Sequence, residues 1–258
     1  MIAGIFHAGS GLGNMLHRYV FARVKALDLG VDFGMKDPHL FKGSSFMSLD
    51  TGKPLIGDLK LFQEERVNNA AGVDIRPYDP RTEQIEPYTL VDGEFQAEKY
   101  FNHRLDEVRE WLKVEPLRFE PNECVIAFRG GEYTVFPDLF LTRKYWQDAM
   151  DNMRAFIPNV FFRVVTDDVK TAKEFFPALP ISHEIGHDWR SIRYAPFLIL
   201  SNSSFSILPT LLNENKKIVI APKYWARHNV SDGYWALEQN CYKGWFYQTR
   251  EGKLEVHS

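Results

Sequence analysis

Three turns in this chain hold residue types that could grip an anion. The first is in FLILSNSSFSILPTLL, 197–212. Phe197 to Leu200 form a short apolar run that suits a strand buried on both faces. Ser201, Asn202, Ser203, Ser204 and Ser206 follow, and apolar residues resume at Ile207. Side chains of this kind cap helix N-termini, whose free N–H groups make an anion site. Pro209 is expected in the first turn of that helix, where its missing N–H costs little. From this segment alone a plain helix cap without a ligand is the better reading.

The second turn is FRGGEY, 128–133. Arg129 is its only basic side chain, set after an apolar strand and beside Gly130 and Gly131. A guanidinium so placed suits bidentate phosphate binding; the bland alternative is a salt bridge to Glu132. Glu132 and Asp138 are nearby carboxylates, and either could act as a general base. The third turn is GSGLGN, 9–14, where Gly9, Gly11 and Gly13 are followed by Asn14. It lacks the G-x-G-x-x-G spacing of a dinucleotide loop, which disfavours a nicotinamide-dependent enzyme. Its glycines still allow a ligand to approach the backbone closely.

Other chemistry-bearing groups read as structural. Asp167 and Asp168 invite a metal reading, but Asp168 fits better as an acid at a helix N-terminus. His7, His17, His183 and His187 show no metal-ligand spacing. Cys124 and Cys241 are distant in sequence, which fits free thiols in a reducing compartment.

The elements that position these turns alternate between strand and helix. Ile2 to Phe6 read as a strand, His7 to Asn14 as a loop and Met15 to Leu27 as a helix. Leu16, Tyr19, Val20, Arg23, Val24 and Leu27 form its stripe. Residues 30–93 show only short apolar pieces. Phe95 to Val114 predicts one amphipathic helix with Phe101, Leu105, Val108 and Leu112 on a face, and Pro116 and Pro121 read as a linker. Strands follow at Cys124 to Phe128, Asn159 to Val165, Phe197 to Leu200 and Ile218 to Ala221. Thr142 caps a helix bearing Tyr145, Trp146, Ala149, Met150 and Met153, and Asp168 opens another to about Phe175. Such alternation predicts a parallel sheet, with ligands beyond its C-terminal strand ends.

With 258 residues the chain can bury one large core or two modest ones. Hydrophobic residues at 45% and charged residues at 25% match a globular protein. A net charge of −3 argues against a sequence-independent grip on nucleic acid. No apolar run reaches the length of a membrane span, and the N-terminus lacks a signal-peptide pattern. A cytoplasmic protein is expected, with room for peripheral membrane contact; no sequence feature fixes an oligomeric state.

Three blocks, spread over nearly the whole chain, resemble the α-1,2-fucosyltransferase-like glycosyltransferases (family 11-like), within the wider group that uses GDP-fucose. The family's GGLGNQMFQY block stands here as GSGLGNMLHRY, and HxRRGDY as AFRGGEY, Ala127 to Tyr133. NSSFSWW followed by VIAPKxW stands as NSSFSIL, 202–208, and VIAPKYW, 219–225. The third block is the most specific.

The resemblance implies an α/β, GT-B-like fold: two Rossmann-like lobes with parallel sheets. Residues 1–120 would form the acceptor-side lobe and 121–258 the nucleotide-sugar-binding lobe. It implies an inverting transfer of a sugar, fucose from GDP-fucose first, to a carbohydrate hydroxyl in surface glycan synthesis, with no metal or other cofactor. Arg129 matches the arginine that contacts the donor pyrophosphate, and Ser203 and Ser204 match the turn on its other side. Asp188, sixteen residues before Ser204, stands at the spacing of an aspartate on the guanine base. Gly11, Gly13 and Asn14 match the loop that faces the cleft, and the resemblance implies that they bind the donor. The departures are Ala127 for the family histidine, Gly130 for the second arginine, and Ile207 and Leu208 for the tryptophans. They leave a second expectation standing: a non-catalytic nucleotide-sugar or glycan-binding protein on a degenerate transferase scaffold.

Overall fold

The computed structural model describes residues 1–68, 74–230 and 241–256. Among them the chain forms two compact units, Met1–Val114 and the part from Glu115 onward. Both are α/β units with a mainly parallel sheet.

In the first unit, β1 (Ile2–Ile5) leads into α1 (Leu12–Asp28). The helix starts three residues earlier than its apolar stripe predicts. Gly11 is therefore its N-cap, and Gly13 and Asn14 stand in its first turn. Leu16, Tyr19, Val20 and Val24 are buried as the stripe requires, whereas Leu27 is 44% exposed. At Gly4 a Cβ would lie 3.0 Å from Ala22 Cβ of α1, a close approach of helix and strand that glycine eases.

The chain continues through β2 (Phe33–Lys36), β3 (Lys60–Gln63), the short antiparallel pair β4 (Val67–Asn68) and β5 (Asp74–Ile75), and β6 (Thr89–Asp92). The main sheet has the order β2-β1-β6-β3 and every pairing in it is parallel. The chain leaves β1 toward β2 on one side, and β6 and β3 lie on the other. The order therefore reverses between β1 and β6, which opens a crevice at their C-terminal ends.

The single helix expected over 95–114 is broken. Two 3₁₀ turns, Glu98–Tyr100 and Asn102–Arg104, precede a seven-residue helix, α2 (Leu105–Trp111). The buried Glu64 carboxylate takes the N–H groups of Glu94 and Phe95, and Phe95 is left-handed, φ 47°. Phe95 also stacks on Phe21 at 3.8 Å, and Tyr100 and Phe101 are buried. Burying three aromatic rings outweighs the backbone bonds of a continuous helix.

The second unit is built on β7 (Glu123–Phe128), all six residues of which are buried. Then come α3 (Arg143–Phe156), β8 (Phe161–Thr166), α4 (Val169–Phe175), β9 (Ile181–Ser182) and α5 (Ile185–Tyr194). They are followed by β10 (Phe197–Leu200), α6 (Ser204–Leu212), β11 (Ile218–Pro222), β12 (Phe246–Gln248) and β13 (Leu254–Val256). The sheet order is β13-β12-β11-β10-β7-β8-β9, and only β12–β13 is antiparallel.

Helix α3 buries Tyr145, Trp146, Ala149, Met150 and Met153, the face its spacing predicts. Trp146 meets Phe128 at 5.3 Å, and Tyr145 donates its hydroxyl to Leu200 O at 2.6 Å. Thr142 is the N-cap of α3 but makes no side-chain cap bond. Pro209 is the sixth residue of α6 rather than part of its first turn, because the helix begins at Ser204, before the apolar residues resume. Cys124 and Cys241 are buried and not joined in a disulfide, and burial pushes the Cys124 thiol well up. No helix among the described residues is long and apolar enough to cross a membrane.

Candidate functional site

Strands β8 and β9 extend the second sheet on one side of β7, and β10 to β13 extend it on the other. The reversal point lies between β7 and β10, and ligands of open α/β sheets bind at such points. Arg129 leaves the C-terminal end of β7, and the serine turn leaves that of β10. The register sets Leu200 beside Ala127, and Ser201 donates its N–H to Ala127 O at 3.1 Å.

Arg129 is held on both sides. Its Nη2 meets Glu132 Oε1 at 2.9 Å and its Nη1 meets Asp167 Oδ2 at 2.6 Å. Its guanidinium lies 5.3 Å from the centroid of the Tyr133 ring. Arg129 Nε is buried without a hydrogen-bond partner among the described residues. The salt bridge to Glu132 considered from the sequence thus exists, and it competes for the donors a phosphate would use.

Asp167 and Asp168, at the end of β8, brace the glycine turn. Gly130 N–H donates to Asp167 Oδ1 at 3.0 Å, and Gly131 N–H to Asp168 Oδ2 at 3.3 Å. Asp168 is also the N-cap of α4. Its carboxylate accepts the Thr171 hydroxyl at 2.6 Å and the Thr171 N–H, and these bonds hold its pKa below the usual range. The brace fills the space at Gly130, where a Cβ would lie 2.8 Å from Asp168 Cβ. An arginine at 130, as the resembled family has, does not fit this turn as it stands.

The serine turn does not cap its helix through side chains. Ser203 is the N-cap of α6 and its hydroxyl makes no cap bond. The Ser206 hydroxyl instead points back to Ser203 O at 2.9 Å, and the Thr210 hydroxyl to Ser206 O at 2.7 Å. Asn202 is the organiser. Its Nδ2 donates to Leu139 O at 2.9 Å and Trp225 O at 2.5 Å, and Tyr133 donates its hydroxyl to Asn202 O at 3.2 Å. One buried asparagine therefore ties together the FRGGEY, NSSFS and VIAPKYW segments.

Asp188 lies in the first turn of α5 and is buried. Burial raises its pKa to about 6, although it accepts the Ser182 hydroxyl at 2.6 Å and has His187 nearby. Trp189, the next residue, packs edge-on against Phe205 of α6 at 5.9 Å. Asp138 is exposed and linked to Arg227, whose backbone N–H it accepts through its own carbonyl. In the first unit, Gly13 O accepts the His17 ring N–H at 2.9 Å, and Asn14 Oδ1 accepts Gln96 Nε2 at 3.1 Å. These bonds commit the first turn of α1 to internal contacts. No group of three or more metal-ligating side chains occurs among the described residues.

No protein-family model and no curated protein sequence matches the chain. Several solved structures are similar in fold, three of them as follows. An α-1,6-fucosyltransferase, NodZ, co-crystallised with GDP, is 13% identical with a TM-score of 0.41 over 82% of this chain and 92% of that one. The heptosyltransferase WaaC of E. coli with ADP is 11% identical, TM-score 0.43, over 86% of this chain and 88% of that one. NodZ soaked with GDP-fucose gives 13% and 0.40 over 82% and 92%. At such scores the α/β class rests on the two parallel sheets themselves.

Proposed function

We propose that this chain is a glycosyltransferase that uses a nucleotide sugar. The observation that carries the reading is the reversal point of the second sheet, flanked by Arg129 on one side and the N-terminus of α6 on the other. Arg129 would bind the diphosphate, and the N–H groups of α6 would stabilise it as it departs with the electron pair of the broken bond. A buried Arg129 Nε and a buried Asn202 Oδ1, both unpaired among the described residues, support a polar ligand here. Charge neutralisation comes from these groups, so the reading uses no metal or cofactor.

The residues from Glu115 onward would take the donor, with Ser203, Ser204 and Asp188 on its phosphate and base sides. The residues before them would take the acceptor. Together they would form a GT-B-like enzyme acting with inversion on a carbohydrate hydroxyl. Fucose from GDP-fucose is the first donor to test, and cytoplasmic synthesis of a surface glycan the first setting. Glu132 and Asp138, considered for proton removal, pair with Arg129 and Arg227. Their part in this reading is to hold those cations.

One observation favours a second reading, a binding protein without turnover. Arg129 stands among Glu132, Asp167 and Asp168, and the Gly130 turn leaves no room for a second arginine. Turnover separates the two. The purified protein is incubated with GDP-fucose, GDP-mannose or UDP-sugars and a panel of glycans, and acceptor-dependent release of nucleoside diphosphate is measured. Release supports the transferase; binding without release under every pairing supports the second reading.

A further inference from the structure

The site around Arg129 is short of positive charge for a diphosphate. Arg129 pairs with Glu132 and Asp167, Asp168 braces the same turn, and the Gly130 turn leaves no room for a second arginine. A diphosphate carries several negative charges, so a further cation is needed from another strand end. β11 is the parallel neighbour of β10, and its C-terminal end opens on the same edge of the sheet. Three basic residues follow it. Lys223 meets Glu255 at 2.7 Å. Burial lowers the His228 pKa to about 4, so its ring is neutral. The third is Arg227.

The backbone that carries Arg227 is pinned beside the serine turn. Asn202 Nδ2 donates to Trp225 O at 2.5 Å and to Leu139 O at 2.9 Å, and Asn202 directly precedes Ser203, the N-cap of α6. Arg227 stands two residues beyond Trp225, within about 7 Å of chain. Its N–H donates to Asp138 O at 2.5 Å, and Asn229 Nδ2 donates to Phe140 O at 2.6 Å. Arg227 is left-handed, φ 58°, a conformation unfavourable to a residue with a Cβ and found at ligand clamps and switches. Against this fixed backbone, the guanidinium meets Asp138 Oδ1 at 3.6 Å, beyond hydrogen-bond length, and Asp138 is itself exposed. Such a pair is weak, whereas a diphosphate offers a guanidinium two oxygens at once.

We infer that Arg227 leaves Asp138 when the donor binds and gives the diphosphate its second guanidinium, an inference that rests on the nucleotide-sugar reading above. It takes the place of the arginine that Gly130 excludes. In the order β11-β10-β7, Arg227 follows the first strand, α6 the second and Arg129 the third. The two guanidinium groups therefore approach from opposite sides of the α6 N-terminus. Asp138 is the resting partner of Arg227.

The test is calorimetric titration of GDP, ADP and UDP into the full-chain wild type, Arg227→Gly, Arg227→Met, Asp138→Asn and Arg129→Ala, with thermal melting of each free protein. Glycine suits the left-handed backbone at 227, and methionine keeps an unbranched stem without the charge. A loss shared by both variants, with the melting temperature of Arg227→Gly kept, reads the charge and not the turn. The expected result is that the diphosphate bound by the wild type binds both Arg227 variants about 10- to 150-fold more weakly. Asp138→Asn should bind it up to about fivefold more tightly. Wild-type affinity in both Arg227 variants, with Arg129→Ala weakened, overturns this inference alone. No diphosphate binding by the wild type, or undiminished binding by Arg129→Ala, overturns the nucleotide-sugar reading and this inference with it.

Discussion

Replacing Glu132 with glutamine should tighten, not weaken, the binding of a nucleoside diphosphate. Glu132 Oε1 occupies Arg129 Nη2 at 2.9 Å, and its side chain is 68% exposed. An exposed pair of this type is worth about 0.2–1 kcal/mol, which the diphosphate must displace. A carboxylate left about 5 Å from a phosphate oxygen adds roughly 0.8 kcal/mol of repulsion in water. Removing both terms gives roughly 1–2 kcal/mol, or about 5- to 30-fold in Kd at low salt. Screening at higher ionic strength shrinks the repulsive part first. Asp167 is the wrong partner to remove, because its carboxylate also holds the Gly130 N–H and with it the turn. Calorimetric titration of GDP into wild type and Glu132→Gln at two salt concentrations measures the change. An unchanged or weaker affinity for the variant refutes the placement of the diphosphate on Arg129.

Other expectations follow from the same contacts. Gly130→Arg, which restores the arginine of the resembled family, should destabilise the second unit by about 1–3 kcal/mol in a denaturant titration. Its Cβ meets Asp168 at 2.8 Å and disturbs the cap of α4. Burial raises the Glu64 pKa from 4.5 to about 7, against the pull of two backbone N–H donors and Arg76. Between those values the folded chain keeps a proton that the unfolded chain releases, so the contribution of Glu64 to stability falls as pH rises. The wild type should therefore lose up to about 3 kcal/mol relative to Glu64→Gln between pH 4.5 and pH 8, read by denaturant titrations. The comparison with the variant removes the opposite slope of His17, whose pKa burial lowers to about 4. A wild-type-to-variant difference that stays constant with pH contradicts the assignment.

The second unit was largely legible in the sequence because its strands are continuous apolar runs between strongly amphipathic helices. Cys124 to Phe128, with the α3 face of Tyr145, Trp146 and Met153, is such a case. Four-residue strands such as Lys60–Gln63, mostly exposed, carry too few positions for a period to register. Phe95 to Val114 misled because its helical spacing was genuine, while Glu64, some thirty residues earlier, decided the backbone at Glu94 and Phe95. The site shows the same division. Arg129 and the serine turn were readable because each directly follows a buried strand. Their supports were not readable, since Asp167 is 37 residues from Gly130 and Asn202 is 69 from Tyr133.

The most direct test of the nucleotide-sugar reading is calorimetric binding of GDP, ADP and UDP to the wild type and to Arg129→Ala. The account predicts a single site for a nucleoside diphosphate and a loss of about 1.5–3 kcal/mol, or roughly 10- to 150-fold, in the variant. Equal affinity of the two proteins, or no binding of any diphosphate by the wild type, would contradict it.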